Sequence, residues 1–448
     1  MKHSRNRKGN TCLLLFSILM AIMCCLLAVQ SSADEQKPSK EIITKELPPG
    51  EQTFGGNPWD RWIFIANGDA FLSLSRLNGA GTVGGGSADL LLAPTYKYND
   101  RTFFIFMYDG HYYKKRDFYS DEIGPRERTE YQGHTIQPML RRDFGPRDRY
   151  SLTPSVFLTY TFNKDIDSDK WSDGLYNYRD KGAALAFDMR EVLVREGMFN
   201  LTAQYYKRRY PNYASLLSLT GLDLSSGLNV EKNEKDYHGL LLKGGYNWQK
   251  PLGFSFDTQY ALLYKDLDDK KVVNANGVLT SEGQEDYLHT LDCNLWYTFD
   301  VGGGLRIGMD LRGGLKRSNQ NYYDGMETII LSDNEFISDY YDYNQYRIVP
   351  NISYTLAFFP LTASVSYSYQ KTSYTDRKAT FTDGSYKSDL QRDVEQGVDV
   401  RLSYDLSDRW KLIGQWNHTE ARSNYDDERV YRYDYVINTY AIGVAFQY

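Results

Sequence analysis

The chain has 448 residues and a formal net charge of −6, with 52 Lys and Arg against 58 Asp and Glu. This acidic balance argues against nucleic acid as a partner, because binding to phosphates needs an excess of basic side chains. Hydrophobic residues make up only 41% of the chain, yet 39 residues are Tyr, against 21 Phe and 7 Trp. The composition is therefore hydrophilic overall but rich in a residue suited to membrane interfaces.

The N-terminus has the pattern of an export signal. Basic residues within the first eight positions precede an apolar stretch at 12–29, and small residues at 31–33 suit a signal peptidase. We predict that residues 1–33 are a signal peptide. The apolar stretch is near the length that spans a bilayer, so an inner-membrane anchor is the alternative.

Removal of the signal peptide has two consequences for the rest of the chain. The segment carries basic residues and no acidic ones, so the remaining chain is more acidic. Cys12, Cys24 and Cys25 also leave, and Cys293 remains as the single cysteine. An intramolecular disulfide is therefore not expected.

The remaining chain is predicted to consist of a short tail and one all-β domain. Residues 34–58 are polar and contain Pro and Gly clusters, so we predict a flexible periplasmic tail. Residues 59–448 contain about sixteen stretches, each of roughly 9 to 16 residues and long enough to cross the apolar slab of a bilayer when tilted. No second long apolar run follows, so a helical membrane protein is not expected.

These stretches alternate apolar and polar side chains. In 361–369 the odd-numbered positions carry Leu, Ala, Val and Tyr, and the even-numbered positions carry Thr and Ser. The same period occurs in 150–162, 252–264, 305–316 and 394–404. A two-residue period is that of an extended strand, with one face suited to lipid and the other to water.

The links between the stretches alternate in length. Short links that carry turn-forming residues are predicted at Asn99-Asp100, Gly145-Pro146-Arg147, Glu196-Gly197, Lys250-Pro251, Gly302-Gly303, Phe359-Pro360 and Ser407-Asp408. Long polar links are predicted near 78–87, 115–129, 164–177, 211–235, 266–284, 318–338, 374–391 and 423–432. The glycine run 84–86 is interpreted as turn chemistry within the first of these.

This alternation predicts the fold class. We expect a transmembrane antiparallel β-barrel of about 16 strands with short periplasmic turns and long extracellular loops, and an even strand number places both termini in the periplasm. A soluble all-β protein is the alternative, but it would have no reason to sort its loops by length.

The last nine residues form one more alternating strand. Its large side chains are Tyr440, Ile442, Val444, Phe446 and Tyr448. A terminal strand that ends in an aromatic residue resembles the C-terminal assembly signal of bacterial outer-membrane β-barrels. With the turn and loop alternation, residues 59–448 resemble porin-like barrels of that membrane.

The resemblance implies several partners. It implies a location in the bacterial outer membrane, insertion by the barrel assembly machinery, and contact with outer-membrane lipid and lipopolysaccharide. Assembly into a homo-oligomer is a further expectation that the sequence leaves open.

Sixteen strands enclose a space too wide for side chains to fill, in the size range of porin channels. The alternation predicts that the following charged residues face inward: Asp69, Asp89, Arg141, Asp188, Arg190, Lys243, Asp257, Asp292, Arg306, Asp310, Arg312, Arg347, Glu395, Asp399, Arg401 and Lys411. They either pair across neighbouring strands or form opposed ladders that sort solutes by charge. The pore-lining hypothesis names Arg306, Asp310, Arg312, Lys316, Arg347, Glu395, Asp399 and Arg401, with a basic stripe formed by the first five.

The sequence favours a passive channel for small hydrophilic solutes. Two alternatives stay open: an export or assembly barrel for polysaccharide or surface protein, and a closed structural or adhesive barrel. No catalytic motif or metal-ligand spacing is present, so we expect neither an enzyme nor a cofactor or metal. The leucine-containing loop 211–235 could narrow the pore, cap the barrel or pack against a neighbouring subunit.

Overall fold

A computed structural model describes residues 61–78, 81–116, 128–164, 170–213, 234–301, 303–324, 335–427 and 433–448. The predicted signal peptide, 1–33, and the predicted tail, 34–58, lie outside the described residues. Most of the leucine-containing loop, 214–233, lies outside them as well.

The described residues form β-strands almost throughout. The strands are β1 (Trp62–Ile63), β2 (Ala66–Leu77), β3 (Gly81–Leu92), β4 (Thr95–Asn99), β5 (Thr102–Arg116), β6 (Arg128–Phe144), β7 (Tyr150–Lys164), β8 (Tyr178–Arg190), β9 (Gly197–Arg209), β10 (Tyr237–Trp248), β11 (Gly253–Val273), β12 (Leu279–Phe299), β13 (Leu305–Ser318), β14 (Tyr322–Asp324), β15 (Glu335–Ile337), β16 (Tyr343–Thr355), β17 (Leu361–Thr380), β18 (Tyr386–Asp405), β19 (Trp410–Ser423) and β20 (Tyr435–Gln447). One 3-10 turn, Pro146–Asp148, lies between β6 and β7. Among the described residues, no helix is long and apolar enough to cross a membrane.

The sheet closes on itself as a barrel of sixteen strands. Each strand pairs antiparallel with its neighbours, and β20 returns to pair with β2. The short strands β1 and β4 continue β2 and β3 toward one end of the barrel and pair with each other. Closure leaves no strand edge exposed, which hydrocarbon requires because lipid offers no hydrogen-bond partners. The predicted all-β antiparallel barrel of about 16 strands is confirmed.

The seven short links all lie at one end of the barrel, as the sequence predicts, and we call this end periplasmic after that prediction. At the other end, the predicted loop 78–87 is wrong, because β3 already begins at Gly81. The glycine run 84–86 therefore lies in a strand, where Gly85 is paired with Ser73. A Cβ on Gly85 would lie 2.5 Å from the Lys114 carbonyl oxygen, so close approach of the backbones explains the glycine.

Two further predicted loops, 266–284 and 374–391, are largely strand. β11 and β12 continue to a turn at 274–278, and β17 and β18 continue to a turn at 381–385. Register shifts interrupt both extensions. The sequence predicts loops here because a hairpin that projects into water carries polar residues on both faces and so lacks the alternation of apolar and polar residues. The predicted long link 318–338 contains the short paired strands β14 and β15.

Apolar side chains cover the outer wall. Leu72 is 73% exposed and Ile442 58% exposed, and both point away from the lumen on adjacent strands. Aromatic residues such as Tyr98, Phe144 and Trp410 border this surface near the periplasmic turns, and Tyr160, Tyr205 and Tyr367 border it toward the other end. An apolar band between two aromatic girdles is the surface that a bilayer requires of a barrel.

Candidate functional site

The strand register places the predicted inward charges on the inner wall. These residues are Asp69, Asp89, Arg141, Asp188, Arg190, Lys243, Asp257, Asp292, Arg306, Asp310, Arg312, Lys316, Arg347, Glu395, Asp399, Arg401 and Lys411. Directly paired residues share a face, so each strand extends the assignment to the next. The inner wall therefore carries both signs of charge.

The basic stripe occupies β13 and β16. Arg312 and Arg347 are directly opposed in the register, and Arg312 Nε lies 2.5 Å from Asp292 Oδ1. The Arg306 guanidinium lies over the Trp296 ring, 4.4 Å from its centroid. Arg347 forms no ion pair with another described residue. The stripe thus combines paired and unpaired cations. Pairing across neighbouring strands and a charged ladder that faces the lumen therefore both apply to it.

The other two members of the stripe, Lys316 and Asp310, also contact residues of neighbouring strands. Lys316 Nζ lies 3.5 Å from Asp286 Oδ2. Asp310 accepts a hydrogen bond from Asn351 Nδ2 at 3.4 Å. Lys316 is therefore paired with a carboxylate, as Arg312 is, whereas Arg306 and Arg347 form no ion pair with another described residue.

A carboxylate cluster, defined as Asp69, Asp89, Asp109 and His111, lies on β2, β3 and β5. Asp69 is directly opposite Asp89, and His111 Nδ1 lies 2.5 Å from Asp89 Oδ1. His111 Nε2 lies 3.1 Å from Asp109 Oδ2. A cavity of about 590 Å³ borders Asp69 and Asp89 on the inner wall. Asp109 was not identified from the sequence, although it lies two residues before His111 on β5 and therefore on the same face of the strand.

The carboxylate cluster and the basic stripe lie on opposite sides of the barrel. In the ring order, β3 and β5 are separated from β13 and β16 by about half of the sixteen strands in either direction. Cations on one wall and carboxylates on the other create an electric field across the lumen.

Glu395, Asp399 and Arg401 lie on β18, between these two walls. Asp399 accepts a hydrogen bond from Gln415 Nε2 at 2.6 Å. Glu395 accepts one from Tyr435 Oη at 3.4 Å. Arg401 is directly opposite Ser364 and Gln415. The three residues thus form a mixed wall in which polar neighbours hold the carboxylates.

The inward-facing charges of the basic stripe and of the carboxylate cluster are accessible to water. The side chain of Arg312 is 50% exposed and that of His111 is 46% exposed, although both point into a closed ring. Side chains that filled the interior would have buried them. The barrel is therefore hollow at the level of the basic stripe and the carboxylate cluster.

Toward the extracellular end the inner wall is packed. Arg208 donates two hydrogen bonds to Asp180, at 2.8 and 2.7 Å, and lies 3.7 Å from the centroid of the Tyr178 ring. Tyr237, 6% exposed, and Tyr206 pack beside them. The sequence assigned tyrosine to the outer girdles, but these tyrosines face inward.

A second arginine, Arg377, lies among tyrosines above the membrane. Its guanidinium lies 4.7 Å from the Tyr340 ring centroid and 5.0 Å from that of Tyr374. Burial raises the pKa of Tyr374 to about 12, although Arg377 acts in the opposite direction. Burial likewise raises the pKa of Tyr340 and Tyr341. These groups are neutral phenols packed against a cation.

The remaining histidines offer no comparable cluster. Tyr Oη atoms lie 2.9 Å from His134 Nδ1, 2.6 Å from His238 Nδ1 and 2.7 Å from His289 Nδ1, all on the outer face. In the part of the chain that is described, no group of three or more His, Cys, Asp or Glu side chains is arranged to hold a metal ion.

The C-terminal strand closes the barrel. Tyr440, Ile442 and Val444 are exposed on the outer face, and Phe446 lies on the same face. Tyr448 N donates a hydrogen bond to Ala66 O at 2.8 Å, and Ala66 N donates one to Tyr448 O at 3.0 Å. The role of this strand as an assembly signal stays a prediction.

No family model matches the chain, and no curated protein matches its sequence. Similar solved structures include OmpT of Vibrio cholerae in its trimer form, with 11% identity over 87% of this chain and 100% of that chain and a TM-score of 0.41. OccK2 (OpdF) of Pseudomonas aeruginosa has 11% identity over 86% and 98%, with a TM-score of 0.42. CdiB from Acinetobacter baumannii has 10% identity over 85% and 60%, with a TM-score of 0.47. The closed ring, with its apolar outer wall and its polar inner wall, is the architecture of a transmembrane β-barrel.

Proposed function

We propose that this barrel is a passive channel for small hydrophilic solutes. The observation that carries the proposal is the half-exposed state of inward-facing charges such as Arg312 and His111. Water-accessible charge inside a closed barrel of sixteen strands provides a hydrated path across the bilayer. The proposed activity is diffusion, with no catalytic step.

Selectivity would arise from size and charge. An anionic solute that enters the hollow section is attracted by Arg306, Arg312 and Arg347 on one wall, and a cationic solute by Asp69 and Asp89 on the other. A dipolar solute would align with the field between the walls. This arrangement favours small polar or charged solutes over apolar ones.

The packed extracellular end supports a second candidate, a closed barrel with a structural or adhesive role. The Arg208–Asp180 pair and the tyrosines around it occupy inner-wall positions that an open channel leaves to water. An export or assembly barrel has no specific support among these contacts.

Single-channel recording in planar bilayers tests the proposal. Purified, folded protein should give discrete current steps in potassium chloride. Absence of steps from protein that is shown to be folded and inserted would contradict the channel and favour the closed barrel. The double variant Arg306→Ala/Arg312→Ala should keep the steps but change the reversal potential in a salt gradient, because it removes cations from the basic stripe.

A further inference from the structure

Four cations meet on the outer face of β8 and β9. In the register, Arg179 is directly opposite Arg209, and Lys181 is directly opposite Lys207. We call these four residues the basic quartet. They point outward, because Asp180 and Arg208, which alternate with them, form their ion pair on the inner face.

The basic quartet is only partly neutralised within the described residues. Like charges that are directly opposite on one sheet face destabilise the pair of strands. Lys207 Nζ lies 2.8 Å from Asp268 Oδ2, but Arg179, Lys181 and Arg209 form no ion pair with another described residue. Arg179, Lys181 and Arg209 are exposed. Besides Asp268, the carboxylate of Asp236 interacts electrostatically with Arg209 and Lys207, so four cations face two carboxylates and an excess of positive charge is available to an anion.

An apolar groove lies directly below the basic quartet. It has a volume of about 680 Å³, and its lining includes Pro138, Pro154, Val156, Ala183, Ala203 and Leu240. Ala183 follows Lys181 by two residues toward the periplasmic end of β8, and Tyr205 precedes Lys207 by two residues on β9. Small residues beside large ones make this part of the lipid-facing wall concave.

The level of the basic quartet in the membrane follows from its neighbours. Arg179 is directly opposite Tyr160, an exposed girdle tyrosine, and Tyr205 also belongs to that girdle. Interfacial tyrosines lie at the level of the lipid head groups. The cations therefore lie at the head-group level of the outer leaflet, and the groove reaches into its hydrocarbon.

We propose that the basic quartet and the groove form one binding site for a phosphorylated glycolipid of the outer leaflet. The quartet binds the phosphate groups through charge-assisted hydrogen bonds, and the groove holds an acyl chain. A polyanion at this position removes the repulsion between the opposed cations. The site lies on the outer wall and is independent of transport through the lumen.

Native mass spectrometry of the full chain in detergent tests the site, with bis-phosphorylated lipid A as the probe. The variant Arg179→Ala/Lys181→Ala/Arg209→Ala should bind at least about tenfold more weakly than the wild type, since several charge-assisted bonds are lost. The matched control, Arg76→Ala/Lys371→Ala/Arg392→Ala, removes three outward cations from other parts of the wall and should bind as the wild type does. Equal losses in both variants would overturn the site in favour of unspecific attraction.

Two further comparisons test the contributions of the acyl chain and of the phosphate groups separately. Ala183→Phe/Ala203→Phe fills the groove and should also weaken lipid A binding while the basic quartet stays intact. Dephosphorylated lipid A should bind at least about tenfold more weakly to the wild type. Equal binding of the dephosphorylated lipid, or displacement of lipid A by an equimolar amount of inorganic phosphate, would overturn the two-part site. Each variant is compared only after its folded fraction matches that of the wild type.

Discussion

Arg312 and Arg347 lie directly opposite each other on β13 and β16, and both face the lumen. Asp292 binds Arg312, so Arg347 is the less neutralised cation of the two. We expect Arg347→Ala to raise the cation-to-anion permeability ratio about two- to fivefold, as expected for losing an interaction of about 0.4–1 kcal/mol with a passing ion. Reversal potentials across a salt gradient provide the measurement.

Lys371→Ala is the control for this prediction. Lys371 lies on the adjacent strand β17 but is paired with Val394 and Tyr346 on the outer face. Removal of this charge should leave the reversal potential near that of the wild type. A shift of the same size in both variants would show that net charge, and not the lumen wall, sets the selectivity.

The Arg208–Asp180 pair should contribute strongly to stability. Both side chains are largely buried, so Asp180→Asn leaves a buried guanidinium without its counter-charge, at a cost of about 3–5 kcal/mol in the free energy of unfolding. Asp188→Asn is the matched control, since Asp188 lies on the same strand face and accepts a hydrogen bond from Ser151 at 3.0 Å. Denaturant unfolding in detergent should separate the two variants, and equal midpoints would argue against the buried pair.

Two glycines on neighbouring strands should differ sharply in their tolerance of a side chain. A Cβ on Gly443 would lie 2.5 Å from the Ala70 carbonyl oxygen and would also meet the Phe71 ring, whereas a Cβ on Gly414 has nothing within 4 Å. We expect Gly443→Val to lose at least about 2 kcal/mol of stability through overpacking, and Gly414→Val to be neutral or stabilising. The folded fraction after refolding into detergent measures this, and similar yields would contradict the close contact.

The tyrosines around Arg377 should lose their phenolic protons at a higher pH than exposed tyrosines do. Burial raises the pKa of Tyr374 to about 12 from the ordinary phenol value of 10.0. Below pH 10 the phenol is neutral in the folded and unfolded states, so its contribution to stability is fully present. As pH rises from 10 to about 12, the unfolded chain loses the proton first and this contribution is lost.

Ultraviolet titration of the folded protein checks this behaviour. Tyr374→Phe should remove one tyrosinate from the part of the curve near pH 12. Tyr160→Phe, at an exposed girdle position, serves as the comparison. Removal of a tyrosinate near pH 10 by Tyr374→Phe would show that the residue is not buried.

Tyr448 should matter more to assembly in cells than to stability. Its backbone pairs with Ala66, and this pairing does not need the aromatic ring. Tyr448→Ala should therefore refold in detergent about as well as the wild type but reach the outer membrane in reduced amount. Tyr404→Ala, which removes a tyrosine from β18, is the control. Equal amounts of both variants in the outer membrane would argue against a terminal assembly signal.

Much of the fold follows from local features of the sequence. The two-residue period in segments such as 305–316 sets which side chains face lipid, because alternation is a geometric property of any extended strand. The turn-forming residues at 145–147 and 407–408 mark sharp reversals for equally local reasons. These signals were sufficient to predict the barrel, its approximate strand number and the inward orientation of residues such as Arg312 and Asp399.

Other features depend on register between strands, which the sequence does not encode locally. From the sequence alone, Gly85 is predicted to lie in a turn. The structure shows that it lies in a strand close to the Lys114 backbone. The carboxylate cluster joins Asp69, Asp89 and His111 from three strands, and the basic quartet joins two.

The sequence by itself determined which face of each strand meets water, since that depends only on neighbouring residues. Only the tertiary structure decided which charges meet, because cross-strand neighbours are fixed by closure of the whole ring. The opposition of Arg312 to Arg347, and of Lys181 to Lys207, is therefore a property of the barrel rather than of any one strand.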